Sequence, residues 1–144
     1  MKRIVRGTAV LLIAGGLSHS ARTAELIVAV TGIRSDAGEV GCALFSSPQG
    51  FPLNLTGAAQ RWLPARQSGV TCRFPDLKPG VYAVAVGHNV NVRHRVETNF
   101  LGMPTEDWGV SNDVRPTLRA PRFEEAAVQL NEGGPDKITV RVAP

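Results

Sequence analysis

The chain has 144 residues, a length typical of one domain. It carries 16 Lys and Arg residues against 12 Asp and Glu residues, which gives a formal net charge of +4. Residues 1–24 hold 4 of the basic residues and no acidic residue, so residues 25–144 keep 12 (16 minus 4) of each sign. This balance argues against a nucleic-acid partner, because binding to phosphates needs a net basic surface.

The N-terminal segment has the three-part layout of a secretory signal peptide. Basic residues precede an uncharged apolar block at residues 7–17, and small residues follow it. This block is shorter than the ~20 residues of a membrane-spanning helix, so no permanent membrane span is predicted. We therefore predict that residues 1–24 are a signal peptide, with Ser20 and Ala24 as alternative cleavage points. Residues 25–144 are then a single domain, either periplasmic or secreted.

Short segments of alternating hydrophobicity, separated by turn residues, predict an all-β protein. The predicted strands are residues 25–33, 39–46, 70–77, 81–88 and 137–143. Asp36 and Gly38 lie in the first connection, and they predict a hairpin between the first two strands. In the fourth strand large side chains alternate with small ones, which is typical of a central strand covered on both faces.

Three other segments lack a clear strand pattern. Residues 57–63 fit a short helix capped by Thr56, and residues 122–130 fit either a helix or a strand. Residues 89–121 show little periodicity and predict a long ordered loop. The spacing of about seven strands predicts an antiparallel β-sandwich.

The chain has two cysteines, Cys42 and Cys72, and each lies on the apolar face of a predicted strand. An exported protein meets an oxidising compartment, which favours a disulfide between them over two free buried thiols. A loop of this length stabilises a fold by on the order of 3–4 kcal/mol in the chain-entropy model.

The segment HNVNVRHRVETN, residues 88–99, raises the question of a metal site. A calcium site would use the oxygen atoms of Asn89, Asn91, Glu97 and Asn99. However, Arg93 stands where a further oxygen ligand is expected, and His94 stands where a Gly is expected. One carboxylate also supplies too little negative charge for a divalent cation, so a calcium site is disfavoured.

A nitrogen-ligand site for zinc or copper is the second option, with His88, His94 and Glu97 as weak candidate ligands. Two histidines six residues apart on a loop do not fix a coordination geometry. The favoured alternative places His88 at the edge of the core, donating to a backbone carbonyl, and leaves His94 in solvent. No cofactor is therefore predicted, with a divalent metal as the weaker alternative.

The same loop is the candidate binding region. Its candidate binding residues are His88, Asn89, Asn91, Asn99, Glu106, Trp108, Ser111 and Asn112. Apolar side chains within it should anchor it to the sandwich, because their exposure would cost about 25 cal/mol per Å². The predicted anchors are Phe100, Leu101, Met103, Trp108 and Val110. The asparagines should then hydrogen-bond the backbone of the loop itself.

The chain resembles a family of exported bacterial proteins that is catalogued only as a domain of unknown function, numbered 2141. Members typically have a G-x-Y-A strand, which Gly80, Tyr82 and Ala83 match. A pattern N-x-x-G-x-P-x-E-x-x-G-x-S-N follows in the family, and residues 99–112 match it. The resemblance covers nearly all of the chain after the signal peptide.

The chain departs from the family pattern in the loop. Asn89, Arg93, His94 and Glu97 stand where the family usually has Asp, Asn, Gly and Asp. The departure weakens a metal role for this chain. The resemblance implies an immunoglobulin-like or transthyretin-like sandwich and a strand at residues 122–130, and it implies no activity.

The leading hypothesis is an exported, non-enzymatic β-sandwich that binds an unknown protein or a cell-envelope component, because loops at the end of such folds commonly carry binding residues. A metal-binding module that uses the loop at residues 88–99 is the alternative. An enzyme ranks last, because Glu106 and Asp107 are adjacent and so point to opposite sides of an extended chain.

Overall fold

The computed structural model describes residues 22–95, 97–100 and 102–144, and within these ranges the chain forms eight strands and two short helical turns. In chain order the elements are β1 (Ala24–Thr31), β2 (Glu39–Phe45), β3 (Ala59–Pro64), β4 (Val70–Leu77), β5 (Gly80–Asn89), β6 (Trp108–Val110), a 3-10 turn (Ser111–Asp113), α1 (Phe123–Ala126), β7 (Val128–Leu130) and β8 (Pro135–Arg141). Residues 1–21 of the predicted signal peptide lie outside the described residues.

The strands form two sheets. The smaller sheet has the order β4-β1-β8, in which β1 is antiparallel to β4 and parallel to β8. The larger sheet has the order β3-β2-β5-β6, and β7 pairs with the start of β5. The predicted all-β sandwich is therefore confirmed, with eight strands in the described part of the chain rather than about seven. Its finer assignment as immunoglobulin-like or transthyretin-like stays a prediction.

Alternating apolar residues build the core because successive side chains of a strand point to opposite faces of its sheet. The core between the sheets includes Leu26, Val28, Val30, Val40, Leu44, Phe74, Val84 and Val86. Cys42 of β2 and Cys72 of β4 lie in this core with their sulfur atoms 2.09 Å apart, which is bonding distance. This disulfide, which is the predicted pairing, joins the two sheets.

The predicted hairpin between the first two strands is wrong. β1 pairs with β4 and β8, whereas β2 pairs with β3 and β5. Both strands carry a row of large apolar side chains that must be buried, and the two rows face each other across the core. The connection at residues 32–38 therefore crosses from one sheet to the other.

The predicted helix at residues 57–63 is also wrong, because residues 59–64 form strand β3 at the edge of the larger sheet. A helix of seven residues is marginal by itself. The free edge of β2 instead offers a ladder of antiparallel partners from Glu39 to Leu44. Pairing across the sheet therefore overrides the local helical pattern.

Residues 122–130 contain both of the predicted patterns in succession. Phe123 and Ala126 are buried on the helical turn α1, and Leu130 is buried on the strand β7. The expectation of a strand throughout, which came from the family resemblance, is therefore wrong for the first half. The alternation begins only at Val128, after the helical turn has ended.

The loop predicted at residues 89–121 is less irregular than expected, because it contains β6 and the 3-10 turn. Val110 is buried, and Met103 and Trp108 are partly buried, as an anchoring role requires. Phe100 is 95% exposed, so its predicted anchoring role is wrong. It lies at a tight turn in which Gly102 N donates to Asn99 O, and this turn projects it away from the sheet. Leu101 lies outside the described residues.

Within residues 22–95, 97–100 and 102–144, no helix has the length and hydrophobicity needed to cross a membrane.

Candidate functional site

A row of four residues crosses the outer face of the larger sheet, the face that points away from the disulfide. Trp62 of β3 is paired with Gly41 of β2, Gly41 with Gly87 of β5, and Gly87 with Trp108 of β6. Paired residues of neighbouring strands point to the same face of a sheet. The two tryptophans therefore stand on one face with two glycines between them, and we call the space above this row the tryptophan groove.

The two glycines of the row differ in what lies above them. A Cβ added to Gly41 would be 2.3 Å from Trp62 Cζ3, so the indole ring lies directly over this glycine. A Cβ added to Gly87 would meet nothing within 4 Å, and the φ of Gly87 lies outside the left-handed region. Gly87 is therefore an open floor, at which a side chain would project into the groove.

The remaining walls of the groove are mostly apolar. Beyond Gly87 the floor continues with the small residue Ala85, and Leu53, Leu55, Met103 and Pro104 contribute from the neighbouring loops. The groove is shallow and open to solvent, with a cavity volume of about 50 Å³.

Trp62 is fixed in place from two sides. Its indole Nε1 donates to Gln60 Oε1 at 3.2 Å, and the His94 ring stacks on it with the ring centroids 4.8 Å apart. His94 Nε2 also lies 2.8 Å from Glu39 Oε2. Glu39 is 8% exposed, and its other carboxylate oxygen has no hydrogen-bond partner among the described residues. His94 thus joins its loop to both β2 and β3.

Trp108 is held by Arg115, whose guanidinium carbon lies 4.2 Å from the centroid of the indole ring. Arg115 donates to the carbonyl oxygens of Trp108, Ala143 and Pro144. The backbone of Trp108 pairs with Ala143 in both directions, at 2.9 and 3.1 Å. The C-terminal segment therefore fixes this side of the groove.

Three carboxylates line one end of the groove, and two of them are ion-paired. Asp107 is buried and accepts from Arg34 through both oxygens, at 2.5 and 2.6 Å. Glu97 Oε1 lies 3.1 Å from Arg93 Nη1 and 3.5 Å from Arg95 Nη2. Asp107 and Glu97 are thus ion-paired, with three arginines between them.

Glu106 is the third carboxylate, and its surroundings differ from those of the other two. Its Oε1 accepts from Val90 N at 3.3 Å, and no ion pair with it is found among the described residues. Burial raises the pKa of Glu106 more than the backbone hydrogen bond from Val90 lowers it. Removal from water thus makes the charged form of Glu106 less favourable, and the longer-range attraction of His88 and Arg93 does not offset this effect on its pKa.

A family model described as an uncharacterized protein conserved in bacteria (DUF2141) matches residues 28–139. The chain belongs to this family. The predicted resemblance to DUF2141 is therefore confirmed, and the matched range includes all four residues of the groove row. No curated protein and no solved structure matches the chain.

In this DUF2141 protein the weak metal candidates contact different partners. His88 is buried with Nε2 at 2.8 Å from Ala37 O, which is the backbone contact that was favoured for it. The side chain of His94 is 58% exposed and contacts Glu39, while Glu97 pairs with the arginines. Within the described residues no group of three or more His, Cys, Asp or Glu residues is arranged to hold a metal ion.

The predicted binding residues do not all lie in one place. Asn89, Glu106 and Trp108 line the tryptophan groove. Within the loop, Asn89 Nδ2 donates to Arg95 O, Asn89 Oδ1 accepts from Asn91 N, and Asn99 Oδ1 accepts from Met103 N, so Asn89 and Asn99 bond the loop backbone as expected. His88 is outside the groove, and the side chain of Asn91 is exposed.

Ser111 and Asn112 connect parts of the scaffold instead of lining the groove. Ser111 is fully buried, and its hydroxyl donates to Ala126 O at 2.5 Å while it accepts from Val84 N at 2.9 Å. Asn112 Nδ2 donates to the carbonyls of Glu125 and Ala127. Both side chains therefore hold the segment that carries α1 against β5.

Sequence reasoning missed three residues of the groove row, namely Gly41, Trp62 and Gly87. One signal for them was present, because the small side chains on alternate positions of β5 include Gly87. The position of Trp62 opposite Gly41 depends on the pairing of β3 with β2, which a helix at residues 57–63 excludes.

Proposed function

We propose that this DUF2141 protein is an exported, non-enzymatic binding module of the cell envelope and that its ligand occupies the tryptophan groove. The observation that carries the proposal is the open floor at Gly87 between Trp62 and Trp108. Aromatic side chains supply large contact areas, and ligand sites in proteins are concave and mostly apolar with a few polar groups at fixed places. The groove has these properties.

The rigidity of the groove supports a binding role. Trp62 and Trp108 each have one ring face contacted by a neighbour, His94 or Arg115, so their positions are set before a ligand arrives. A site whose side chains are already ordered loses little conformational entropy when it binds.

Export rests on the layout of the N-terminal segment and is supported by the disulfide, which persists in oxidising compartments. Of the two cleavage points, we favour the one after Ser20. Ala24 is 1% exposed and pairs with Leu77 on the neighbouring strand, so cleavage after Ala24 would remove a core residue. The mature protein then begins at Ala21.

The neutral dye N-phenyl-1-naphthylamine tests the groove, because its emission rises in apolar surroundings. The chain has two tryptophans, and both belong to the groove row, so energy transfer from tryptophan to the dye reports binding there. We expect saturable binding to the wild type. In Gly87→Val the new side chain occupies the space above residue 87. The affinity for the dye should then fall by about tenfold or more, which corresponds to a loss of about 1.4 kcal/mol of binding free energy.

Gly134→Val is the matched control, because a Cβ on Gly134 also meets nothing within 4 Å and this residue is outside the groove. It should bind the dye as the wild type does. Valine is a favourable strand residue, so Gly87→Val should remain folded, which circular dichroism checks. Equal dye binding by wild type and folded Gly87→Val would overturn the proposal.

A further inference from the structure

We propose that the tryptophan groove binds a small organic cation, whose apolar body rests on Gly87 between the two tryptophans and whose ammonium group contacts Glu106. This inference rests on the proposed function and adds the chemical class of the ligand. The charge at the groove end, the position of Glu106 relative to Trp108 and the size of the opening each support it.

The first observation is the charge balance of the groove lining. Asp107 has its own cation in Arg34, and Glu97 has Arg93 and Arg95. Arg95 is the cationic side chain among the described lining residues, and its contact with Glu97 offsets its charge. Glu106 forms no ion pair within contact distance among the described residues, although Arg93 attracts it from farther away, so a cation entering the groove would find a counter-charge there.

The second observation is the placement of Glu106 next to an aromatic wall. Glu106 and Trp108 are two residues apart, and both line the groove. Asp107, between them, already accepts from Arg34 through both oxygens. A carboxylate beside a tryptophan is a favourable site for an ammonium group, because the ring face and the carboxylate both attract a cation.

Burial of Glu106 strengthens the argument. Its pKa is raised mainly by removal from water, so the charged form of this carboxylate costs free energy. A bound ammonium group would provide the missing partner through a charge-assisted hydrogen bond. A neutral or anionic ligand of the same shape would leave the carboxylate unpaired.

The size of the opening limits the ligand to a small molecule. Trp62 and Trp108 are three strand spacings apart, roughly 14 Å between their backbones at ~4.8 Å per spacing. The Trp62 ring covers Gly41, so the opening that remains is centred on Gly87. In the proposed complex, one aromatic ring or a short aliphatic body rests on this opening, with the polar group directed toward the end that Glu106 occupies.

Displacement of bound N-phenyl-1-naphthylamine by three matched compounds tests the inference. Phenethylammonium is the cation, 2-phenylethanol is the neutral analogue, and phenylacetate is the anion. We expect phenethylammonium to displace the dye at roughly tenfold lower concentration than the other two, the effect of one charge-assisted hydrogen bond. In Glu106→Gln this preference should disappear, because the three compounds are compared on the same variant and only the cation loses its partner.

Glu132→Gln is the matched control, because Glu132 is an exposed carboxylate in the turn before β8, away from the groove. It should keep the preference for the cation. Glu106→Gln should also be at least as resistant to urea as the wild type, since an unpaired half-buried carboxylate is removed, which distinguishes a binding role from a structural one. Equal displacement by the three compounds, or a cation preference that survives Glu106→Gln, would overturn the inference. With dye binding still blocked by Gly87→Val, either result would leave the proposed function standing.

Discussion

Alanine substitutions at three glycines of the larger sheet should have graded effects on stability, because the space above each glycine differs. The substitutions are Gly87→Ala, Gly41→Ala and Gly109→Ala. Only at Gly87 does an added Cβ meet nothing within 4 Å. Alanine there restricts the unfolded chain without disturbing the folded one, so the free energy of unfolding should rise by about 0.4–1 kcal/mol.

At the other two glycines the added Cβ lies closer than 3.0 Å to a neighbouring atom, a distance that real Cβ atoms essentially never show. At Gly41 it lies 2.3 Å from the Trp62 ring, a shortfall of 0.7 Å (3.0 minus 2.3), and the ring can move aside. The free energy of unfolding should fall by about 1–3 kcal/mol, the usual penalty of overpacking. At Gly109 the methyl group lies 2.2 Å from the backbone oxygen of Arg141, which cannot move without separating the strands, so the loss should reach about 3 kcal/mol or more.

Urea unfolding followed by far-ultraviolet circular dichroism measures this series. The expected order of stability is Gly87→Ala, wild type, Gly41→Ala and Gly109→Ala. Gly41→Ala should also shift the tryptophan emission to longer wavelength, because the Trp62 ring is pushed toward solvent, whereas Gly87→Ala should not. A Gly87→Ala variant that is less stable than the wild type by about 1 kcal/mol would mean that the floor is already occupied, and it would refute the geometry from which the groove is argued.

Three further predictions concern other parts of the chain. Replacing Cys42 and Cys72 by alanine should lower the free energy of unfolding by on the order of 3–4 kcal/mol, measured by urea unfolding; a change below about 1 kcal/mol would contradict a stabilising cross-link between the sheets. Mass spectrometry of the protein exported by a bacterial host should give a mature N-terminus at Ala21, and a start at Glu25 would contradict the role of Ala24 in the core. The hydrogen bonds from Arg119 are the main cause that lowers the pKa of the Glu125 carboxylate to about 2. A carbon NMR titration should detect this low pKa, and the pKa should rise in Arg119→Ala. The stability that this lowered pKa provides is present above the ordinary value of 4.5 and is lost as the pH falls toward about 2. An unchanged midpoint of the Glu125 titration in Arg119→Ala would argue against the pair.

The strands were largely predictable because each buries one row of side chains. The alternation of buried and exposed residues from Val70 to Phe74 shows which face of the strand is covered. This alternation can be read from the local sequence. The identity of the neighbouring strand is not local. Both β1 and β2 have the expected buried rows, yet they lie in different sheets, and nothing in either alternation indicates this.

The boundaries of short elements were the least predictable. Residues 59–64 have helix-forming residues and a helical spacing of apolar positions, but β2 provides hydrogen-bond partners that only the assembled sheet contains. Phe100 shows a similar limit. Hydrophobicity predicted burial, whereas the turn from Asn99 to Met103 determines where its side chain points.

The groove depends on a register that the sequence does not show. A slip of one residue between β2 and its neighbours would turn Gly41 to the inner face and remove the open space beside Trp62. Cys42, the next residue, points inward and is bonded to Cys72 of the other sheet, which fixes the inner face of β2 and thereby the outward direction of Gly41. The disulfide thus stabilises the geometry of the groove as well as the core. Its loss should weaken dye binding even in the absence of urea, where the protein remains folded. Normal dye affinity in a folded double alanine variant would show instead that strand pairing alone maintains the register.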